Sequence, residues 1–151
     1  MHIKLEDIKK LRLETSAGVS NCRKALEDCT SDYTNAKKML EKRMVEQAAK
    51  KKDRTTGVGI IASYVHSNGK IGVLVELRCE TDFVARTNDF KNLSHEVALQ
   101  IAAMDPKNVD TLLKSEYIRD GSLTIESLIK QTITKLGENI VLSRFTRMEL
   151  E

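Results

Sequence analysis

Residues 58–79 read VGIIASYVHSNGKIGVLVELRC, and this stretch decides the fold. Both of its ends are rich in Ile and Val, and Val73, Val75 and Leu77 alternate with their neighbours as in a β-strand. Asn68-Gly69 lies between the two apolar runs, and this dipeptide favours a tight hairpin turn. We therefore predict an antiparallel hairpin. Its second strand has apolar residues on both faces, which predicts a central strand that is covered on both sides.

Downstream of the hairpin, the apolar spacing changes to the helical period. A helix is predicted from Asn88 to the Asp-Pro pair at residues 105–106, because the residue before proline disfavours helical backbone. A further helix is predicted from about Thr124, with Gly137 at the position just past its end. Residues 139–148 alternate again and predict a third strand.

The chain upstream of the hairpin predicts three short helices. Apolar residues recur at helical spacing from Leu5, and a turn of small residues at 15–18 interrupts them. Ser20 offers an N-cap for a second helix, and residues 30–32 offer caps for a third. The run from 46 to 54 is polar and basic, so it either extends the third helix or acts as a tether.

Together these patterns predict an α+β protein. A small helical domain is expected at residues 1–45 and a basic linker at 46–56. An α+β domain with a small antiparallel sheet packed against helices is expected at 57–151.

Composition limits the possible functions. The 25 basic and 22 acidic residues nearly balance to a net charge of +3, which is too small to argue for nucleic-acid binding by itself, and we expect no direct nucleic-acid contact. No apolar run approaches the ~20 residues that span a bilayer, and no secretory signal is visible. We therefore expect a cytoplasmic protein without membrane contact, or one of an organelle matrix if a transit peptide has been removed. The odd count of three cysteines argues against a disulfide framework, and Cys22 and Cys29 are expected to be small apolar core residues.

Motifs for catalysis or cofactor binding are missing from the sequence. His95-Glu96 begins like a zinc-protease motif, but Leu99 stands where the second histidine would be. Gly57-Val58-Gly59 lacks the third glycine of a dinucleotide-binding loop, and no phosphate-binding loop occurs. We therefore expect no enzyme activity, no metal and no cofactor, and predict a binding function.

Residues 79–86 are the strongest candidate for that function. Asp82 and Phe83 stand together where a strand gives way to a helix, and loops held by rigid elements are common binding sites. An exposed Phe83 would be a natural anchor for a partner. Alternatively, Phe83 packs under the helix and Asp82 is merely solvated.

Three motifs in this chain resemble the elongation factor Ts family. Residues 79–86 (CETDFVAR) resemble its central signature, and residues 11–18 (LRLETSAG) followed by 22–26 resemble its ubiquitin-associated-like N-terminal module. Residues 137–140 (GENI) with 144–145 resemble its closing motif. Asn21 replaces a usual acidic residue and Ser16 a common glycine. The chain has room for one core unit, as in the compact members of the family.

The resemblance implies a guanine-nucleotide exchange factor that releases GDP from elongation factor Tu by disturbing its magnesium and phosphate site. It also implies a homodimer without a cofactor of its own. The partner-binding residues implied in the central segment are Thr81, Asp82, Phe83, Val84 and Ala85. Those implied in the N-terminal module are Arg12, Leu13, Thr15, Ala17, Gly18 and Val19.

Two other functions are compatible with the sequence. The helical module alone could recognise ubiquitin-like or nascent-chain partners. Lys50, Lys51, Lys52 and Arg54 could bind RNA phosphates, although interleaved aromatic residues are missing.

Overall fold

The computed structural model describes residues 3–151, so the first two residues of the predicted helical domain lie outside the described residues. The described chain begins with three helices, which confirm the predicted helical module. They are α1 (Leu5–Thr15), α2 (Val19–Asp28) and α3 (Tyr33–Lys51). The remaining elements are β1 (Val58–Val65), β2 (Ile71–Cys79), α4 (Asp82–Ala85), α5 (Asn88–Met104), α6 (Val109–Lys114), β3 (Glu116–Tyr117), β4 (Asp120–Thr124), α7 (Ile125–Leu136) and β5 (Val141–Glu149).

The first three helices enclose a small apolar core of their own. Its buried members are Leu11, Ala17, Cys22, Ala25, Leu26, Ala36 and Leu40. Cys22 is fully buried, as expected for a small apolar residue, whereas Cys29 is only partly buried at the end of α2. The prediction that Ser20 caps α2 is wrong. The helix begins at Val19 after an extended Gly18, and no side chain caps it.

Helix α3 continues without a break through the basic run to Lys51. Ala48, near its end, is buried in a second apolar cluster that lies between the sheet and the later helices. Helix α3 also contacts α7, so the end of the first helical module touches the rest of the fold. The division of the chain into domains at 45 and 56 stays a prediction.

The three-stranded antiparallel sheet has the order β1-β2-β5, which confirms the predicted hairpin and the central position of β2. Gly69 has the positive φ of 69° that the turn requires. Gly59 is also constrained, because a Cβ atom there would collide with the Leu77 carbonyl oxygen. The three-stranded sheet packed against α5 confirms the predicted α+β class.

The prediction that β2 is covered on both faces is wrong. Val73, Val75 and Leu77 are buried under α5. Leu74 points to the opposite face and is 53% exposed. One apolar face of β2 therefore lies in the core, and its other apolar face is open to solvent.

The predicted boundaries of α5 and the predicted end of α7 agree with the observed ones. Helix α5 begins at Asn88, where the Thr87 hydroxyl accepts a hydrogen bond from the Phe90 amide, and ends just before Asp105. Gly137 closes α7 in the left-handed conformation, with a φ of 77°. The last strand begins at Val141, two residues later than predicted. Within residues 3–151, none of the helices has the length and apolarity needed to cross a bilayer.

Candidate partner-binding site

The central segment forms a short, well-braced turn between sheet and helix. Strand β2 ends at Cys79, and Thr81 remains extended with a φ of −132° before α4 begins. The Thr81 hydroxyl caps α4 by accepting a hydrogen bond from the Val84 amide at 3.4 Å. Helix α5 follows almost at once, so rigid elements hold the turn at both ends. We call residues Thr81–Ala85 the α4 segment.

The α4 segment has one buried side and one exposed side. Val84 and Ala85 are buried in the core cluster under the sheet. Asp82 is exposed, and Phe83 is 81% exposed. The alternative that Phe83 packs under the helix is therefore wrong. The helical turn places an acidic side chain and an aromatic ring side by side on the surface.

An exposed phenylalanine forgoes a favourable burial energy. Burying such a side chain typically contributes ~1.5–3 kcal/mol, and here only a partner could supply that gain. A single exposed apolar residue is ordinary on protein surfaces. Phe83 differs because the packed Val84 and Ala85 fix its backbone, so little conformational entropy would be lost when a partner covers the ring.

Polar contacts from distant parts of the chain hold the start of the α4 segment. The Glu138 carboxylate accepts hydrogen bonds from the amides of Glu80 and Thr81 at 3.1 and 3.0 Å. It also accepts one from the Thr81 hydroxyl at 2.6 Å. The Cys79 thiol lies beneath, 3.3 Å from the Thr81 carbonyl oxygen. Burial raises the pKa of this thiol, which keeps it uncharged.

The N-terminal candidates lie around the turn between α1 and α2. Arg12 and Gly18 are exposed, and so are Leu13, at 85%, and Val19. Thr15 and Ala17, by contrast, are buried. The Thr15 hydroxyl donates to the Leu11 carbonyl at 2.6 Å and accepts from the Ala17 amide, so these two residues shape the turn from inside.

The C-terminal end of helix α7 lies near both groups of candidates. Lys135 lines a cleft together with Arg12, Leu13 and Gly18 of the N-terminal turn. The same Lys135 forms an ion pair of 2.8 Å with Asp89, in the first turn of α5 and just after the α4 segment. Glu138, three residues further on, contacts the α4 segment itself. The C-terminal end of α7 is therefore close to both groups.

Comparison with known proteins agrees with the resemblance of the motifs. The family described as elongation factor TS matches residues 80–151. Elongation factor Ts of Fervidobacterium nodosum is 38% identical, and that of Coprothermobacter proteolyticus 40%, each over 99% of both chains. The chloroplastic elongation factor Ts of Guillardia theta is 37% identical over 99% of this chain and 90% of its own. The chain belongs to the elongation factor Ts family.

Membership makes this chain a translation elongation factor, which acts in protein biosynthesis. The family match begins at Glu80, so it contains the α4 segment, α7 and β5. The N-terminal turn lies outside that match but inside the alignments with whole relatives.

Sequence reasoning about this family member missed one site residue, Glu138. It appeared only within the closing motif at residues 137–140, for which no partner-binding residue was predicted. Its contacts join residues 57 positions apart, and no local periodicity reports such a contact. Among residues 3–151, no group of three His, Cys, Asp or Glu side chains is close enough to hold a metal ion.

Proposed function

We propose that this chain is the guanine-nucleotide exchange factor for elongation factor Tu and acts in the cytoplasm without a cofactor. Its membership of the elongation factor Ts family supports this function. The observation that carries the mechanism is the 81% exposed ring of Phe83 on the braced α4 segment. The chain would act by binding, not by making or breaking a covalent bond.

To promote nucleotide exchange, a protein needs only to bind the nucleotide-free state of its partner more tightly than the GDP-bound state. GDP on such a GTPase is held by a phosphate-binding loop and a magnesium ion. A protein that binds the nucleotide-free state better than the GDP-bound state must weaken GDP binding by the same factor, because coupling between ligands is reciprocal. In this proposal Phe83 wedges between side chains of Tu, and the Asp82 carboxylate disturbs the magnesium and phosphate region.

The N-terminal turn provides a second contact in this proposal. Arg12, Leu13 and Val19 present one cation and two apolar side chains from a turn that Thr15 and Ala17 hold rigid. Such a contact would add binding energy away from the nucleotide. It would therefore strengthen the complex, while the α4 segment provides the discrimination between nucleotide states.

The direct test is release of a fluorescent GDP analogue from purified elongation factor Tu. We expect micromolar amounts of the chain to accelerate release by ~100-fold or more, at the upper end of the usual range of coupling between two sites. An unrelated helical protein of similar charge is the control. Unchanged release from a Tu preparation that exchanges normally with an established factor would reject the proposed function.

We propose in addition that two copies of the chain pair through the open face of the sheet. Leu74 lies at the centre of this face, paired with Ser63 on one side and Thr146 on the other. Ile61 and Met148 are exposed around it. Two sheets commonly stack face to face ~10 Å apart, and a two-fold axis lets one apolar patch meet its own copy.

The charged residues of the open face are already paired. The guanidinium of Arg144 donates to Glu76 at 2.7 Å, and Arg78 bonds to the same carboxylate. Arg144 first, and then Arg78, lowers the pKa of Glu76, so this carboxyl stays ionised near neutral pH. A second copy could cover this face without leaving an unpaired acid.

Replacing Leu74 by arginine is expected to convert the dimer to a monomer. The substitution would bring two cations together across the two-fold axis, and like charges strongly oppose a buried contact. Size exclusion with light scattering at micromolar protein measures the mass. The control is Met104→Arg, at an exposed apolar position at the end of α5. A wild-type chain that elutes as a monomer would reject the dimer.

A further inference from the structure

We propose that Glu138 is a positioning residue, which holds the α4 segment in the orientation that presents Asp82 and Phe83 to the partner. This inference rests on the proposed exchange function. It concerns a side chain that would not touch the partner's nucleotide site itself. It is carried by the hydrogen bonds of one carboxylate to the start of the α4 segment.

The Glu138 carboxylate uses both oxygens on this segment. Oε2 accepts from the backbone amides of Glu80 and Thr81, and Oε1 accepts from the Thr81 hydroxyl. Because that hydroxyl donates its proton to Glu138, its lone pairs face the Val84 amide, which it caps. The carboxylate thereby fixes both the backbone before α4 and the side chain that starts α4. Asp82 and Phe83 are the next two residues.

A second carboxylate, that of Glu80, binds the backbone next to Glu138. Glu80 Oε1 accepts a hydrogen bond from the backbone amide of Asn139 at 2.7 Å. Glu80 and Glu138 therefore each bind the backbone beside the other, and we call this pair the carboxylate clamp. Charged acceptors make stronger hydrogen bonds than neutral ones, so the clamp fixes the two chain segments to each other.

The clamp also includes the chain that follows α3. The buried Asn139 side chain donates to the carbonyl oxygens of Lys52 and Arg54 at 3.2 and 3.0 Å. Arg54 in turn lies 3.6 Å from Glu80. The end of the longest N-terminal helix and the α4 segment are thus held by adjacent residues. This arrangement would keep the two proposed contacts with Tu in a fixed relation.

Helix α7 places Glu138 with little freedom to move. Gly137 adopts a left-handed conformation that ends the helix and turns the chain toward β2. Ile140, two residues after Glu138, is buried in the core. The backbone of Glu138 is therefore fixed on both sides, so its carboxylate is oriented before any partner binds.

If Glu138 only stabilised the fold, its loss would have a different effect from the loss of a residue that positions the α4 segment. Val84 and Ala85 hold the α4 segment to the core through apolar burial, which does not depend on Glu138. Loss of the carboxylate should therefore loosen Glu80 and Thr81 and leave the fold intact. Hydrogen bonds to charged groups are strong enough that losing them should raise local opening by ~10-fold or more.

The first measurement is amide hydrogen exchange in the free protein, followed residue by residue by NMR. In Glu138→Ala we expect the amides of Glu80, Thr81 and Val84 to exchange ~10-fold faster. The matched control is Glu126→Ala, which removes an exposed glutamate at the other end of α7. Unchanged exchange at all three amides in Glu138→Ala would overturn the positioning role, whatever the protein does to Tu.

The second measurement is GDP release from Tu. Glu138→Ala should reduce the acceleration ~10-fold, while Glu138→Gln should retain most of it, because an amide oxygen can still accept from the two backbone amides. In a Phe83→Ala background, Glu138→Ala should cause a clearly smaller loss than in the wild-type background, because only Asp82 remains to be presented. An equal loss in both backgrounds would overturn the proposal. A wild-type chain without effect on Tu would instead reject the exchange function, and hydrogen exchange would still decide whether Glu138 holds the segment.

Discussion

Replacing Phe83 by alanine should reduce the acceleration of GDP release from elongation factor Tu by ~30-fold or more, the size of effect that aromatic hot-spot residues produce. The ring is 81% exposed in the free protein, so most of its apolar surface is available for a partner to bury. The substitution removes the wedge and leaves the backbone of the α4 segment in place. The fluorescent GDP release assay measures the change directly.

The same substitution should leave the free energy of unfolding unchanged within ~0.5 kcal/mol, as for most surface positions. This separates loss of function from loss of fold. The matched control is Met104→Ala, which truncates an exposed apolar side chain at the far end of α5 and should retain full activity. If Phe83→Ala accelerates GDP release as well as the wild type, the wedge mechanism is wrong even if the exchange function stands.

Replacing Phe90 by alanine should destabilise the fold instead, with a loss of ~3–5 kcal/mol in the free energy of unfolding. Phe90 lies seven residues after Phe83 but is fully buried in the core cluster. Removing its ring opens a cavity among packed side chains that cannot fully collapse. Urea denaturation at 25 °C measures the loss, and a fall of about 10 °C in Tm should accompany it.

Lys91→Ala provides the control for that experiment, because the exposed Lys91 is the next residue on the same helix. It should change stability by less than ~0.5 kcal/mol. A loss below ~1 kcal/mol in Phe90→Ala would mean that the interior adapts to the missing ring, contrary to a close-packed core. Any Phe90→Ala protein that remains folded should keep the exposed Phe83 and hence its exchange activity.

Much of the fold could be predicted because it depends on neighbouring residues. The Asn68-Gly69 turn, the Asp105 stop and the left-handed Gly137 act over a few positions, and each lies where the pattern placed it. Strand β2 shows the limit of such reasoning. Its alternation predicted a central strand, but whether a second layer covers Leu74 depends on elements elsewhere in the chain.

The candidate site, like the fold, could be predicted only in part from the sequence. The family motifs indicated the α4 segment and the N-terminal turn, yet they could not separate exposed Leu13 from buried Thr15 and Ala17. Phe83 and Phe90 are equally apolar, and sequence reasoning left open whether Phe83 is buried. Packing on the sheet decides which ring faces the core.

The sequence by itself determined the order of the main helices and of the three strands of the larger sheet, and membership of the elongation factor Ts family, since short-range backbone preferences and linear motifs encode both. Only the tertiary structure decided that Phe83 is exposed, that one face of the sheet is open, and that Glu138 binds the α4 segment. These properties depend on residues far apart in the chain, such as Thr81 and Glu138 at a separation of 57 positions. Such contacts leave no periodic pattern, because they exist only after the chain has folded.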